Sequence, residues 1–302
     1  MTEVSTVTKS PSSRRETTGL VLLFGAMYFV QGIAEPTEGL IAQPVRSLLK
    51  SWGYSAAGIA GFGALLALPW SLKPLYGLLT DFVPINGTRR RSYLLLTSAA
   101  SVLGLACLYF IPVPVGAYRQ LLFLLLVPTV GVAFSDVVVD ALMVEKGQPR
   151  GLTGLLQSVQ WAAMYGGSIL AGLVGGYLSQ HGHQQEGFLM CAVTSFATLL
   201  LAWFYVKETP QAAKKGRLGL ATKELAAAAR KPAVLAAAAF LFLWSFNPFS
   251  MSVLYLHMTK QLAISEQFYG FTISLLSVGA IVGSLAYGTY CRRVPMSRLI
   301  HL

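Results

Sequence analysis

Long apolar stretches alternate with short polar ones along most of the chain. Eight of these stretches reach the length of about 20 residues that a helix needs to cross a bilayer. Glycines and prolines are scattered through them, as helices in membranes allow. The pattern therefore predicts an all-α membrane protein with spans at about 20–46, 55–80, 92–112, 118–143, 151–178, 187–206, 233–258 and 267–290.

Polar segments divide this helical pattern into four parts. Residues 1–18 are rich in Ser and Thr and are predicted to form a disordered cytoplasmic leader; the apolar run behind them is too long for a cleavable signal peptide. Residues 19–206 are predicted to form a six-helix bundle and residues 207–232 a basic cytoplasmic linker. Residues 233–302 then supply two further helices, the seventh and eighth, of a second, partial half.

Composition and charge support the membrane assignment and fix an orientation. The chain is 54% hydrophobic and 12% charged, with a mean hydropathy of +0.59, whereas soluble domains are about 25% charged. Of the 23 Lys and Arg residues, 18 lie in the leader, the linker and the turns after even-numbered spans. The positive-inside rule then places leader and linker in the cytoplasm of a multi-pass protein of the cell (inner) membrane. The net charge of +11 thus indicates topology and contact with anionic lipid, and nucleic acid is not expected as a partner.

The first apolar stretch carries three polar residues, Gln31, Glu35 and Glu38. Their spacing of i, i+4 and i+7 would place them on one face of a continuous helix. Two neighbouring carboxylates repel when both are ionised, so one of them is expected to bind a proton near neutral pH. The alternative is that Glu35-Pro36 ends a short helix and that both glutamates lie in an external vestibule.

Charged residues also fall inside the second and fourth stretches. Lys73 lies between Pro69 and Pro74, where a bend is expected, and about 12 Å from Asp81 at the cytoplasmic end. Asp136 lies at a similar depth, with Asp140 one turn further along. We expect Lys73 to pair with one of the two aspartates, either as a structural ion pair or as a cation that recognises an anionic substrate.

The fifth stretch offers a hydrogen-bonding side chain beside an aromatic one. Gln157 and Trp161 are i and i+4 and suit a flat heteroaromatic ligand, or else form an ordinary contact between helices.

The odd number of cysteines, three without a CxxC pair, predicts neither a disulfide framework nor a metal site. No catalytic motif is present, so neither enzymatic activity nor a cofactor is expected.

The segment after the second stretch, GLLTDFVPINGTRRR, runs from Gly77 to Arg91 and resembles a signature of the major facilitator superfamily. We expect Gly77 to allow close helix packing and Asp81 to bind a neighbouring helix end. Arg89, Arg90 and Arg91 are expected to anchor the loop at the cytoplasmic surface. With Asp140 or Glu145 they would form a latch that opens and closes during transport.

Three further segments narrow the resemblance. PWSLKPLYG, YFVQG and SDVVVDALMVE are similar to segments of the folate-biopterin transporter family, a branch of that superfamily. The resemblance implies a secondary transporter of pteridines that works by alternating access and is proton-coupled. The alternatives are a carrier of another small anionic or heteroaromatic metabolite, or a non-transporting remnant. The family has twelve helices, so a fragment is expected, or a separate chain that supplies the missing C-terminal helices.

Overall fold

A computed structural model describes residues 14–209, 226–246 and 251–290 and the single positions 219 and 223, with only the backbone described for residues 245 and 287–290. Within these residues the longer regular elements are all helices. They are α1 (Arg14–Ala34), α2 (Ala42–Ser51), α3 (Ala56–Ser71), α4 (Lys73–Phe82), α5 (Arg91–Phe110), α6 (Tyr118–Gly147), α7 (Thr153–His181), α8 (Gln184–Tyr205), α9 (Pro232–Ser245), α10 (Met251–Leu256) and α11 (Glu266–Tyr290). A 3-10 turn follows α6 and a π-helical turn follows α10.

The predicted helical membrane fold is confirmed. Six segments of the described chain are long and apolar enough to cross a bilayer: Arg14–Ala34, Ala56–Phe82, Arg91–Phe110, Tyr118–Arg150, Gln184–Tyr205 and Glu266–Ala286. The other two predicted spans correspond to the glycine-rich α7 and to the shorter α9 and α10. Large apolar side chains such as Leu22, Leu103 and Phe123 point outward, as expected of helices surrounded by lipid.

Three of the four predicted parts of the chain lie partly outside the described residues. Of the leader, only residues 14–18 are described, and they belong to α1. Of the linker, residues 207–209 and a few positions before Pro232 are described. The end of the chain beyond residue 290 is likewise outside the described part.

The prediction of one continuous helix through Glu38 is wrong. α1 ends at Ala34 because Pro36 lacks a backbone N–H and disfavours a helical conformation at Glu35. The chain turns over residues 35–41, where the N–H of Gly39 donates to the carbonyl of Glu35 at 2.8 Å. A side chain at Gly39 would lie 2.4 Å from that same carbonyl, so the turn requires glycine. Glu35 and Glu38 therefore lie in a turn between two helices, as in the vestibule alternative.

The predicted bend around Lys73 is present. α3 ends at Ser71 and α4 begins at Lys73, with Pro69 in the last turn of α3 and Pro74 in the first turn of α4. Because a proline has no N–H to donate, the regular ladder of hydrogen bonds breaks between the two helices. The break presents Lys73 at the first position of α4.

α7 is the helix on which α1 and α11 pack most closely. A side chain at Gly32 of α1 would lie 2.5 Å from the carbonyl oxygen of Met164, and one at Gly270 of α11 would lie 2.2 Å from that of Gly172. Gly167 and Gly175 are similarly crowded, because a side chain at either position would lie 2.5 or 2.7 Å from a backbone carbonyl oxygen. The N-terminal bundle and α11 are thus joined along one glycine-lined helix.

Buried apolar side chains form two clusters at the two ends of the bundle. One contains Phe24, Tyr93 and Leu156 near the start of α5, and we name this end the arginine end, after Arg89, Arg90 and Arg91. The other contains Leu108 and Leu178 and lies at what we name the opposite end. Gln31 and Lys73 lie between the two clusters along their helices, whereas Asp136 lies on α6 among residues of the cluster at the arginine end.

Candidate functional site: a polar layer and a cavity in the bundle

Lys73 and Asp136 form the predicted ion pair. The Lys73 ammonium lies 2.5 Å from the carboxylate of Asp136, whose side chain is only 5% exposed, against 37% for Lys73. Gln31 donates a second hydrogen bond to Asp136 from its side-chain amide. The ammonium also lies over the ring of Trp70, 4.5 Å from its centre. Asp136 is thus held by two donors from two helices, and Lys73 by a carboxylate and an aromatic face.

Asp140 has different partners from those predicted. The hydroxyl of Tyr28 donates to it at 2.5 Å and the amide of Gln160 at 3.1 Å. Gln157 in turn donates to Gln160 at 2.8 Å, so it belongs to this chain of hydrogen bonds. Asp140 pairs neither with Lys73 nor with the arginines, because Tyr28 of α1 and Gln160 of α7 lie against its side of α6. Tyr28 is a functional candidate that the sequence analysis did not select.

A cavity of 310 Å³ opens between α1, α2, α7, α10 and α11. Its lining includes Glu35, Glu38 and Trp161 from the predicted set and adds Arg46 and Tyr269. The Glu35 carboxylate accepts a hydrogen bond from Thr37, and Trp161 lies 5.9 Å from Tyr165, ring centre to ring centre. The structure thus gathers charged and aromatic side chains from three helices and one turn around one space. That volume lies at the lower end of the range for small-molecule sites, about 300–1,000 Å³.

At the arginine end, one arginine of the predicted latch contacts Glu145, and we name Arg90, Asp81 and Glu145 the Arg90 latch. Arg90 is 5% exposed, and its guanidinium lies 2.6 Å from Asp81 and 2.7 Å from Glu145. It also donates to the hydroxyl of Thr80 at 2.8 Å. Arg89 and Arg91 contact backbone carbonyls instead, those of residues 81 and 203. Of the three arginines, Arg90 alone pairs with carboxylates in the described part of the chain.

The expected role of Gly77 is wrong. A side chain there would meet Val137 at 3.8 Å, which is ordinary van der Waals contact, so close helix approach does not require glycine at this position.

Glu208, just after α8, joins the latch without having been predicted. Its carboxylate accepts the backbone N–H groups of Arg89, Arg90 and Arg91 at 2.9, 2.9 and 3.0 Å. These are donors at the start of α5, where the helix dipole also favours negative charge. Burial raises the pKa of Glu208, but the three N–H donors and the Arg90 charge outweigh it and hold that pKa below its usual range. The residues that follow α8 are thereby tied to the start of α5.

Arg90 stays charged in this setting. Burial lowers its pKa, but the hydrogen bonds and charges of Glu145 and Asp81 more than compensate, so that the pKa is raised above its ordinary value.

A second polar network closes the opposite end. Glu266, the first residue of α11, accepts from Lys50, from the Tyr255 hydroxyl at 2.7 Å and from Gln43 at 3.1 Å. Its backbone N–H donates to Gln180 at 2.9 Å. We name this set (Gln43, Lys50, Gln180, Tyr255 and Glu266) the Glu266 network. It links α2 and α7 of the first bundle to α10 and α11.

Comparison with known proteins assigns the family. A model of the BT1 family matches residues 31–302. The chain belongs to the BT1 family. This BT1-family chain is 31% identical over 275 residues to a folate-biopterin transporter of Synechocystis sp., a match that covers 89% of the chain and 54% of that protein. It is 35% identical over 186 residues to the Arabidopsis thaliana protein named probable folate-biopterin transporter 4, covering 61% and 37%.

The solved structure of a D-xylose-proton symporter has the same fold. It matches with a TM-score of 0.63 and 14% identity, over 93% of the BT1-family chain and 70% of the symporter. The predicted arrangement, a helical bundle like that of the major facilitator superfamily, is thereby confirmed. The BT1-family chain spans about half the length of the curated relatives it matches.

The residues that sequence reasoning missed lie in different parts of the predicted pattern. Lys50 and Glu266 fall in turns between the predicted spans, Arg46 at the end of the first span and Glu208 in the linker. Gln43, Arg46 and Lys50 are spaced i, i+3 and i+7, which places them on one stripe of a helix, and this signal was available in the BT1-family sequence.

Proposed function

We propose that this BT1-family chain serves in secondary transport of pteridines such as folate and biopterin, by alternating access and without catalysing a chemical reaction. The cavity carries the proposal: two carboxylates, an arginine and aromatic rings line one space within a membrane bundle. Ionisable groups at this depth are costly unless they border such a space. The names of the relatives in Synechocystis and Arabidopsis support the substrate class.

The lining fits the chemistry of a pteridine. A pteridine is a flat heteroaromatic ring with N–H donors along one edge. Trp161 and Tyr165 offer aromatic faces for the ring, and Glu35 and Glu38 offer acceptors for the donors. An occupied cavity would therefore bury the ring against α7 and its polar edge against the turn between α1 and α2.

The two end networks suit alternating access. The Glu266 network joins α2 and α7 to α10 and α11 at the opposite end. Substrate entering from that end requires this network to break, since it closes the space between the helices that line the cavity. The Arg90 latch would open and close at the other end. We further propose proton coupling through Glu35 or Glu38, because both lie in the cavity and repel each other when ionised.

We place the arginine end in the cytoplasm and the protein in the cell membrane. The strong bias of Lys and Arg toward the leader, the linker and the even-numbered turns supports this orientation. A membrane-impermeant maleimide applied to intact cells, with the native cysteines removed, should label Ser51→Cys at the opposite end and spare Gln148→Cys. The reverse labelling would contradict the orientation.

The experiment that tests the substrate is equilibrium binding of tritiated folate and tritiated biopterin to the full chain in lipid nanodiscs. We expect both to bind, and Trp161→Leu to weaken both about tenfold, since a lost aromatic contact of about 1.5 kcal/mol corresponds to that factor. Trp203→Leu is the matched control, because Trp203 is 56% exposed and does not line the cavity. A folded protein that binds neither ligand would contradict the proposal.

Proton coupling has a separate test. In proteoliposomes, an imposed pH gradient should drive uptake of whichever of folate and biopterin binds. Glu35→Gln and Glu38→Gln should each reduce this gradient-driven uptake. Uptake that is the same with and without the pH gradient would refute proton coupling and leave the substrate assignment intact.

A further inference from the structure

α2 presents three polar side chains toward the second half of the chain, and two of them have a partner there. Gln43 and Lys50, seven residues apart, both bind Glu266. Arg46 lies between them on the same stripe of α2 and lines the cavity. Its single hydrogen bond in the described structure goes to the carbonyl of Thr37 at 3.2 Å, and no described carboxylate lies within 4 Å. A guanidinium has five N–H donors, so most of its binding capacity remains unused.

The second polar group in this region without a full set of partners is the hydroxyl of Tyr269. Tyr269 follows Glu266 by three residues on α11, lines the cavity and is 1% exposed. Its hydroxyl has no hydrogen-bond partner among the described residues. The buried tyrosines Tyr28 and Tyr255 each donate to a carboxylate, at 2.5 and 2.7 Å. A buried hydroxyl without a hydrogen-bond partner is unusual. This one lies one helical turn from Glu266, which binds Gln43 and Lys50 on either side of Arg46.

The cavity carries charges of both signs. Arg46 is the one basic residue of the lining within the described chain, and it donates to the carbonyl of Thr37 in the turn that carries the two acids. A carboxylate ligand pairs well with a guanidinium and with a tyrosine hydroxyl, because both donate to it. A ligand that combines N–H donors with a carboxylate would satisfy both the two acids and the Arg46 and Tyr269 side chains.

We propose that Arg46 and Tyr269 form a carboxylate subsite, so that the cavity favours pteridines with a carboxylate tail, such as folate, over those without one, such as biopterin. This inference rests on the proposed function and goes one step beyond it, from the substrate class to the group that is recognised. Trp161 and the two glutamates hold the ring, and Arg46 with Tyr269 selects the tail.

The test compares ligands first and variants second. Folate and its dimethyl ester differ in charge and keep the ring, so their competition against tritiated folate on the full chain in nanodiscs measures the subsite without any mutation. We expect the ester to bind at least about tenfold more weakly, the factor for one lost hydrogen bond to a charged group. Biopterin, which has no carboxylate, should resemble the ester.

Arg46→Gln should remove the difference between folate and its ester while leaving the affinity for biopterin within about twofold. Tyr269→Phe should narrow the difference about fivefold, since it deletes one neutral donor. The matched controls are Arg119→Gln, an exposed arginine outside the cavity, and Tyr205→Phe, which is 67% exposed. Both should behave as the unmodified chain.

Three results would overturn the inference. Equal binding of folate and its ester by the unmodified chain would do so even if Arg46→Gln failed to fold, and would leave the pteridine assignment standing. An Arg46→Gln protein that loses folate and biopterin to the same extent would show a structural role for Arg46. If the unmodified chain bound neither folate nor biopterin, both the subsite and the proposed function would be refuted.

Discussion

Replacing Lys73 with Met should destabilise the protein more than replacing Asp136 with Asn. Lys73→Met leaves a carboxylate that is 5% exposed with only the Gln31 amide as donor. Breaking a buried ion pair costs about 3–5 kcal/mol. Because Lys73 is 37% exposed and Gln31 remains, we expect about 2 kcal/mol. Asp136→Asn leaves an ammonium that still faces the Trp70 ring, so its expected cost is about 1 kcal/mol.

The double variant separates a structural pair from two independent residues. With both charges gone, no uncompensated charge remains, and the double variant should be less destabilised than the sum of the single ones by at least about 1 kcal/mol. The free energy of unfolding is measured by reversible SDS unfolding in mixed micelles, followed by far-ultraviolet circular dichroism. Additive effects within about 0.5 kcal/mol, or a larger effect of Asp136→Asn than of Lys73→Met, would refute the reasoning.

The same three variants also decide between the two roles considered for Lys73. If the pair is only structural, the double variant should regain folate binding together with stability. If the ammonium recognises an anionic substrate, the double variant should regain stability and still bind folate weakly. Both readouts come from the same protein preparations.

Three further predictions concern the helix packing and the two ends of the bundle. Gly270→Ala should destabilise the protein by about 1–3 kcal/mol, because its side chain would lie 2.2 Å from a carbonyl of α7, whereas Gly279→Ala, with nothing within 4 Å, should be neutral or stabilising in the same SDS assay. Lys50→Met should cost about 1–2 kcal/mol through lost pairing with Glu266, and the exposed control Lys260→Met should cost under about 0.5 kcal/mol; equal effects would contradict the Glu266 network. Because the pKa of Glu208 is lowered by folding, its contribution to stability is present above the unfolded pKa and is lost as pH falls through the folded one. Stability of the unmodified chain should therefore fall more steeply below about pH 5 than that of Glu208→Gln, and parallel curves would contradict the role of Glu208.

Much of the site followed from local rules of helix geometry. Prolines on both sides of Lys73 predicted the break between α3 and α4, and the rise of a helix per residue predicted that Lys73 and Asp136 share a depth. The partners of residues on neighbouring helices did not follow from these rules. Asp140 was assigned to the arginines or to Lys73, yet its hydrogen bonds come from Tyr28 and Gln160. Spacing along one helix gives the depth and face of a residue, and its partner depends on which helix lies opposite.

The sequence by itself determined that the protein is a helical membrane bundle, which family it resembles and which of its charges lie at bilayer depth, because these depend on composition, run length and local motifs. The sequence left open whether the first apolar stretch continues past Glu35, and the tertiary structure decided that it breaks there, where a turn closed by backbone hydrogen bonds replaces a helix. Only the tertiary structure placed Arg46 in the cavity and joined Lys50 to Glu266, 216 residues later. Such contacts form because α2 and α11 both pack on α7 and come together there. No local sequence pattern predicts that these two helices are neighbours.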